Sequence, residues 1–214
     1  MAHKLPFKTV LAVGAHCDDI EIGCGGTLHR LRREGIPVFG LVVTDTHYQR
    51  GDKVLRDGAM ARKEAEASAK IIGYEPVFGN QRNNAVVVDE NLVYLIRGLI
   101  EKHAIDTVFT HWDGDPHLDH IRVAQATVMA TRDTRNLFMY RSNRFKMAGN
   151  FPADISIDIS ESWKAKLSAL HCYQSELARV GEEFMEYVEI ANRHEGIGSG
   201  VRYAEPFVCV KCLL

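Results

Sequence analysis

Short, nearly continuous apolar runs alternate along this chain with longer segments of helical spacing. Thr9-Val-Leu-Ala-Val-Gly-Ala15 is apolar at almost every position and ends at polar residues, which predicts a strand buried on both faces. Residues 37–44 repeat that pattern, and residues 106–110 form a shorter version. Residues 154–159 alternate as a strand should, and residues 203–210 make a late strand. Between these runs, residues 25–33, 57–72, 89–103 and 117–131 read as helices, with Gly73 placed as a C-cap. Ser160 is expected to cap another helix reaching about Tyr173. Strands buried on both faces, each followed by a helix, imply a parallel sheet in a three-layer α/β sandwich. No repeat, low-complexity tract or Pro/Gly/Ser-rich linker interrupts the pattern. Residues 1–214 are therefore expected to form a single Rossmann-like α/β domain with a mainly parallel sheet.

Composition narrows the classes of function. The 46% hydrophobic and 25% charged residues are ordinary for a globular protein with a sizeable core. A net charge of −2 excludes a generally basic nucleic-acid or membrane-surface binder, because phosphate neutralisation needs a cationic face. No apolar run approaches the roughly 20 residues that span a bilayer. The start has charge but no apolar h-region, so no secretory signal is expected. Five scattered cysteines make a poor disulfide framework and suit a reduced, cytoplasmic protein.

The unusual figure is 10 histidines, several of them beside aspartates. In an open α/β sheet, ligands bind beyond the carboxyl ends of the strands. Two polar clusters fall at such ends. In Ala15-His-Cys-Asp-Asp-Ile-Glu21, His16 and Asp19 are three apart and can share a metal, leaving Asp18 free as a general base. In His111-Trp-Asp-Gly-Asp-Pro-His-Leu-Asp-His120, His117 and His120 share that spacing, and either can complete a three-ligand site. Three protein ligands leave the fourth Zn²⁺ position to water or substrate, the mark of a catalytic site. Each cluster alone also reads as a helix N-terminus, where carboxylates favour the macrodipole. Their shared position at strand ends of one sheet favours the site.

These residues carry a resemblance. Ala15-His-Cys-Asp-Asp-Ile-Glu-Ile-Gly-Cys-Gly-Gly-Thr-Leu28 resembles the Ala-His-Pro-Asp-Asp-Glu signature of the PIG-L/LmbE-like zinc N-deacetylases. His117-Leu-Asp-His120-Ile-Arg-Val is similar to the family's downstream His-x-Asp-His block. Arg62-Lys-Glu64, Ile71-Ile-Gly73, Asp158-Ile-Ser160, Lys166–Leu170, Tyr173-Gln-Ser and Tyr203-Ala-Glu-Pro-Phe207 match in order, so nearly the whole chain is covered. The resemblance implies one Zn²⁺ on His16, Asp19 and His120, Asp18 as general base, and His117 as the group that polarises or protonates the tetrahedral intermediate. It places Arg62 against substrate, and His194 is a candidate to line the same cleft. The implied reaction removes an N-acetyl group from an N-acetylglucosamine-type sugar or glycoconjugate; members of the family often form homo-oligomers. The competing reading is a non-catalytic nucleotide- or sugar-binding α/β module, which has no use for an unligated carboxylate.

The chain departs from the family pattern in places. Cys17 stands where the family usually has Pro, and is expected to be a turn residue; the alternative is a regulatory or ligating thiol. Ile20 separates Asp19 from Glu21, so the family's Glu is displaced or replaced. Residues 79–84 lack the Asp of the family's sugar-holding loop. Gly23-Cys-Gly-Gly26 is no dinucleotide fingerprint, since Leu28 stands at its third glycine position, and it fits close helix packing instead. Cys209-Val-Lys-Cys212 reads as structural, and His47 and His171 as ordinary polar residues. Arg141, Arg144 and Lys146 with Phe145 form a basic patch that a solvated loop or an acidic substrate tail would explain.

Overall fold

A computed structural model describes residues 4–145 and 150–213. The elements run β1 (Val10–Gly14), α1 (Asp19–Arg33), β2 (Val38–Thr44), β3 (Tyr48–Arg50), β4 (Lys53–Arg56), α2 (Gly58–Ile72), β5 (Glu75–Gln81) and α3 (Glu90–Lys102). They continue with β6 (Thr107–His111), α4 (Leu118–Ala130), β7 (Asn136–Tyr140), β8 (Ile155–Asp158), α5 (Trp163–Leu170), α6 (Gln174–Val180), α7 (Glu183–Gly198) and β9 (Ala204–Lys211). Seven strands form one sheet in the order β5-β2-β1-β6-β7-β9-β8, and β3-β4 is a separate hairpin. The first five strands of that order are parallel; β9 runs antiparallel to both its neighbours. The chain leaves β1 toward β2 and β5, then returns to its other side through β6. That reversal opens a crevice at the carboxyl ends of β1 and β6. Among the described residues, no helix is long and apolar enough to cross a membrane.

Alternate residues of the central strands face opposite layers. Val10 and Ala12 pack with Leu28 and Leu31 of α1 and Ala65 and Ile72 of α2. Leu11 and Val13 pack with Ile96 of α3 and Val123 of α4. Both faces of β1 are therefore dry, which is why its sequence is continuously apolar.

Helix α1 begins at Asp19, six residues before the expected start at 25. Gly23, Gly25 and Gly26 weaken helix propensity by about 1 kcal/mol each, hence the sequence reads there as loop. Packing overrides that cost. A Cβ on Gly23 would lie 2.0 Å from the buried Tyr140 ring, and one on Gly26 would meet Ile159 at 2.7 Å. The helix is also tied down from beneath. Gly26 and Thr27 donate their amides to Glu205 of β9 at 2.9 and 2.7 Å. Lys166 of α5 completes this wholly buried group, donating to Glu205, the Ile22 carbonyl and Asn192.

Other boundaries also differ. Ser160 does not cap α5; its hydroxyl bonds to Asp158 and receives the amides of Arg202 and Tyr203, and the helix starts at Trp163. Strands β5 and β7, the β3-β4 hairpin, α6 and α7 are additions to the expected elements; β5 carries Pro and Gly, which weaken a strand pattern. Asp57 and Asp89 cap α2 and α3 through the amides of Met60 and Leu92, and Gly73 ends α2 at φ 94°.

Gly23→Ala should destabilise the fold by about 1–3 kcal/mol, because neither the helix nor the enclosed Tyr140 ring has room to yield. Urea unfolding measures it; a change below a few tenths of a kcal/mol would show that α1 is not seated this tightly.

Candidate active site

The turn after β1 carries His16, Cys17 and Asp18 into the crevice. Asp18 adopts φ 110°, a left-handed conformation costly for a residue with a Cβ, by roughly 1–3 kcal/mol. Asp19 then opens α1, and its Oδ2 accepts the His16 amide at 2.7 Å. From the other side, β6 ends at His111, Asp115 caps the following loop through the His117 amide, and α4 presents His120.

These elements bring together His16, Asp19 and His120. His16 Nδ1 lies 3.2 Å from Asp19 Oδ2, His120 Nε2 lies 3.3 Å from Asp19 Oδ1, and the two ring nitrogens are 3.3 Å apart. Donors held about 2.0–2.1 Å from a tetrahedral centre stand about 3.3 Å from one another. The three side chains thus fit one Zn²⁺-sized ion. Two imidazole nitrogens and one carboxylate also match that metal's preferred donors. A second group, His16, His117 and Asp119, is close enough to bind a cation. There, however, both Asp119 oxygens already accept backbone amides, from Asn84 at 2.7 Å and Val86 at 3.1 Å.

Carboxylates behind the rings orient them, as metal-ligating histidines require. Asp119 Oδ2 is 3.3 Å from His16 Nε2, and Asp115 Oδ1 is 3.0 Å from His120 Nδ1, though without the alignment of a hydrogen bond. Burial works against protonating both histidines, yet these acids outweigh it: His16 is pushed up to about 9 by Asp119 and Asp19, and His120 to about 10 by Asp19 and Asp115. The site is built to hold positive charge.

His111 is wholly buried beneath it and was not assigned a role from sequence. Its Nε2 accepts the Ala15 amide at 2.9 Å, which leaves the proton on Nδ1, 3.3 Å from Ser142 Oγ. Ser142 in turn donates to Asp19 Oδ1 at 3.0 Å. Burial lowers His111 to about 4, in keeping with this neutral tautomer.

His117 lies beside the triad, its ring 4.8 Å from that of His16. Its Nδ1 caps α4 by accepting the Asp119 amide, so the proton of the neutral ring resides on Nε2. Burial and the neighbouring imidazoles lower it to about 4. Asp18 stands outside the donor triangle. Burial raises its carboxyl well above the ordinary range, against the pull of Arg56. Arg56 Nη1 is 3.6 Å from Asp18 and 3.4 Å from Glu176, and Nη2 donates to the Cys17 carbonyl at 3.2 Å. Arg179 binds the same Glu176 carboxylate. Sequence reading missed Arg56, Glu176 and Arg179, because neither the hairpin nor α6 was anticipated.

Asp18, His117, Arg56, Glu176 and Arg179 line a cleft of about 470 Å³ together with Tyr48, Asn83, Asn84, Asn143, Phe145 and Phe184. Arg144 lines it too, whereas Lys146 lies outside the described residues. Two expected substrate residues are placed elsewhere. Arg62 stacks 4.2 Å over Phe78 and faces a separate cavity beside Cys17 and His47. His194 is exposed on α7 and lines a third cavity with Arg141 and Asn192. Glu21 points into the core, where Ser68, Tyr74 and Tyr173 donate their hydroxyls to it at 2.8–2.9 Å. The Cys17 thiol is buried outside the donor group, and burial pushes it up to about 12.

Comparison with known proteins follows this geometry. The profile of PIG-L, described as GlcNAc-PI de-N-acetylase, matches residues 11–131, a stretch that contains both histidine clusters. The uncharacterized deacetylase YaiS of Escherichia coli is 31% identical over 177 residues, covering 78% of this chain and 91% of that protein. Diacetylchitobiose deacetylase of Thermococcus kodakarensis is 27% identical over 221 residues, 92% of this chain and 81% of that one. The inhibitor complex of N,N'-diacetylchitobiose deacetylase from Pyrococcus horikoshii superposes with a TM-score of 0.81 at 22% identity, covering 96% of this chain and 84% of that one. The family profile spans more than half of the sequence and YaiS is matched over nearly its whole length: this chain belongs to the PIG-L family.

Proposed function

We propose that this protein is a Zn²⁺-dependent N-deacetylase acting on an N-acetylglucosamine-type sugar or glycoconjugate. One observation carries the reading: His16, Asp19 and His120 converge at ligand spacing while Asp18 stands beside them, outside the donor set and paired with Arg56. A Zn²⁺ ion held by those three supplies Lewis acidity, polarising an acyl oxygen and making water nucleophilic near neutral pH.

The chain's own groups do the rest. Asp18 accepts the proton of the attacking water as its oxygen bonds to the acetamide carbon. His117 offers Nε2–H to the oxygen that gains negative charge, a contribution of the oxyanion-hole kind. Asp18 then returns the proton to the departing nitrogen, the C–N bond breaks, and acetate and a free amine leave. The cleft suits a sugar: the amides of Asn83, Asn84 and Asn143 supply donors and acceptors, and the rings of Tyr48, Phe145 and Phe184 supply apolar faces. The relatives named for diacetylchitobiose support this class. Its five free cysteines suit the reducing cytoplasm.

Incubating the metal-loaded protein with N-acetylated sugars and measuring acetate tests the reading; turnover is expected, and silence across neutral, charged and lipid-linked acetamido sugars would refute it. His16→Ala, Asp19→Ala and His120→Ala should each remove the single bound metal while leaving the fold intact, because the ligands sit on loops and helix starts over a preformed sheet. Full metal occupancy in any two of them, by elemental analysis, would overturn the ligand set. Asp18→Asn should keep the metal and lose about 10²–10⁴-fold in kcat. Near-normal turnover by that variant would move the base role to another group.

A further inference from the structure

We infer that Arg56 is the positioning residue of the Asp18 carboxylate; its kinetic consequence rests on the deacetylase reading above, but its structural consequence does not. Asp18 needs holding. It sits at φ 110°, and its side chain makes no capping bond to α1 that would fix it there. Among the described residues, its ion pair is with Arg56. The same guanidinium donates through Nη2 to the carbonyl of Cys17, which belongs to the peptide that supplies the Asp18 amide. One planar fork therefore grips both the peptide entering Asp18 and the side chain leaving it. The orientation of that peptide sets φ of Asp18, so the two contacts constrain one conformation.

The fork is itself braced. Arg56 is only 5% exposed. Glu176 of α6 approaches the same Nη1 at 3.4 Å, and Arg179 donates to that carboxylate in turn. Arg56 arrives on β4, in the hairpin outside the main sheet, so the grip is independent of the elements that carry the metal-type donors. A lysine ammonium is a point donor and does not span both contacts in this way. Loss of the fork should let the turn relax to negative φ and swing the carboxylate away from the acyl group, and misplacement by about 1 Å can cost on the order of 10²-fold in rate.

Two measurements decide the matter. Crystal structures of the parent and of Arg56→Gln should show Asp18 leaving the left-handed region in the variant; an unchanged Asp18 would overturn the inference. Steady-state kinetics on an N-acetylated sugar should show kcat reduced about 10- to 100-fold, with KM and metal content close to the parent. Arg56→Lys should fall between the two, and it carries both measurements if the Gln variant does not fold. A raised KM with kcat retained would assign Arg56 to substrate binding and overturn positioning. A parent protein silent on every acetylated sugar refutes the deacetylase reading alone, and the Asp18 conformation then decides the role of Arg56.

Discussion

Close seating of α1 on the sheet is the constraint from which the rest of the molecule follows. With no Cβ at Gly23, the helix axis comes down onto the Tyr140 ring, and Tyr140 in turn donates to the Val13 carbonyl of β1. The buried Glu205–Lys166 group fixes the helix in rotation as well as in height, since it binds two α1 amides and one α1 carbonyl. Such a pair is costly to desolvate and tolerable only because its polar atoms are partnered. The N-terminus of α1 is thereby held against the end of β1 in a single register. Asp19 emerges as the first helical residue, directly over His111 and facing His120.

That placement concentrates negative charge in a small buried volume. Asp19, Asp115 and Asp119 surround His16 and His120, and burial alone would neutralise such a group. Each acid is instead compensated locally. Asp119 takes backbone amides from the 84–86 loop, Asp115 takes the His117 amide, and Asp19 takes Ser142 and the His16 amide. What is left over points at one spot between His16, Asp19 and His120. A divalent cation answers that demand without the geometric compromise of protons on two facing rings. Asp18 belongs to a separate charge system shared with Arg56 and Glu176, so the two neighbouring aspartates of the turn have different surroundings and different chemistry available to them.

The cleft wall is assembled from segments far apart in sequence. The β3-β4 hairpin brings Tyr48 and Arg56, the 83–84 loop brings its asparagines, the end of β7 leads to Asn143–Phe145, and α6 brings Glu176 and Arg179. Arg62 lies on another wall. The resemblance places it against substrate, yet its guanidinium stacks on Phe78 and lines a separate cavity beside Cys17 and His47. His194 is likewise near the cleft in chain order of motifs but is displaced by the path of α7.

What the chain determined by itself was whatever depends on neighbours in sequence. Continuous apolar runs sufficed for β1, β2 and β6, because a strand buried on both faces needs no partner to be recognised. The three-residue spacings of His16 with Asp19 and of His117 with His120 determined which donors could act in pairs. Tertiary structure decided everything that depends on packing between distant segments. It made helix out of a glycine-rich stretch because Tyr140 fills the space where side chains would be, and it drew strands from residues 75–81 and 136–140, which pair only across the sheet. It also turned Glu21 inward to three hydroxyls, set Asp18 at a strained φ, and delivered Arg56 to it from a hairpin with no apolar signature. Local pattern records the hydrophobic periodicity of one segment; the choice of partner for a buried polar group is made by the fold, through whichever donor the packing leaves within reach.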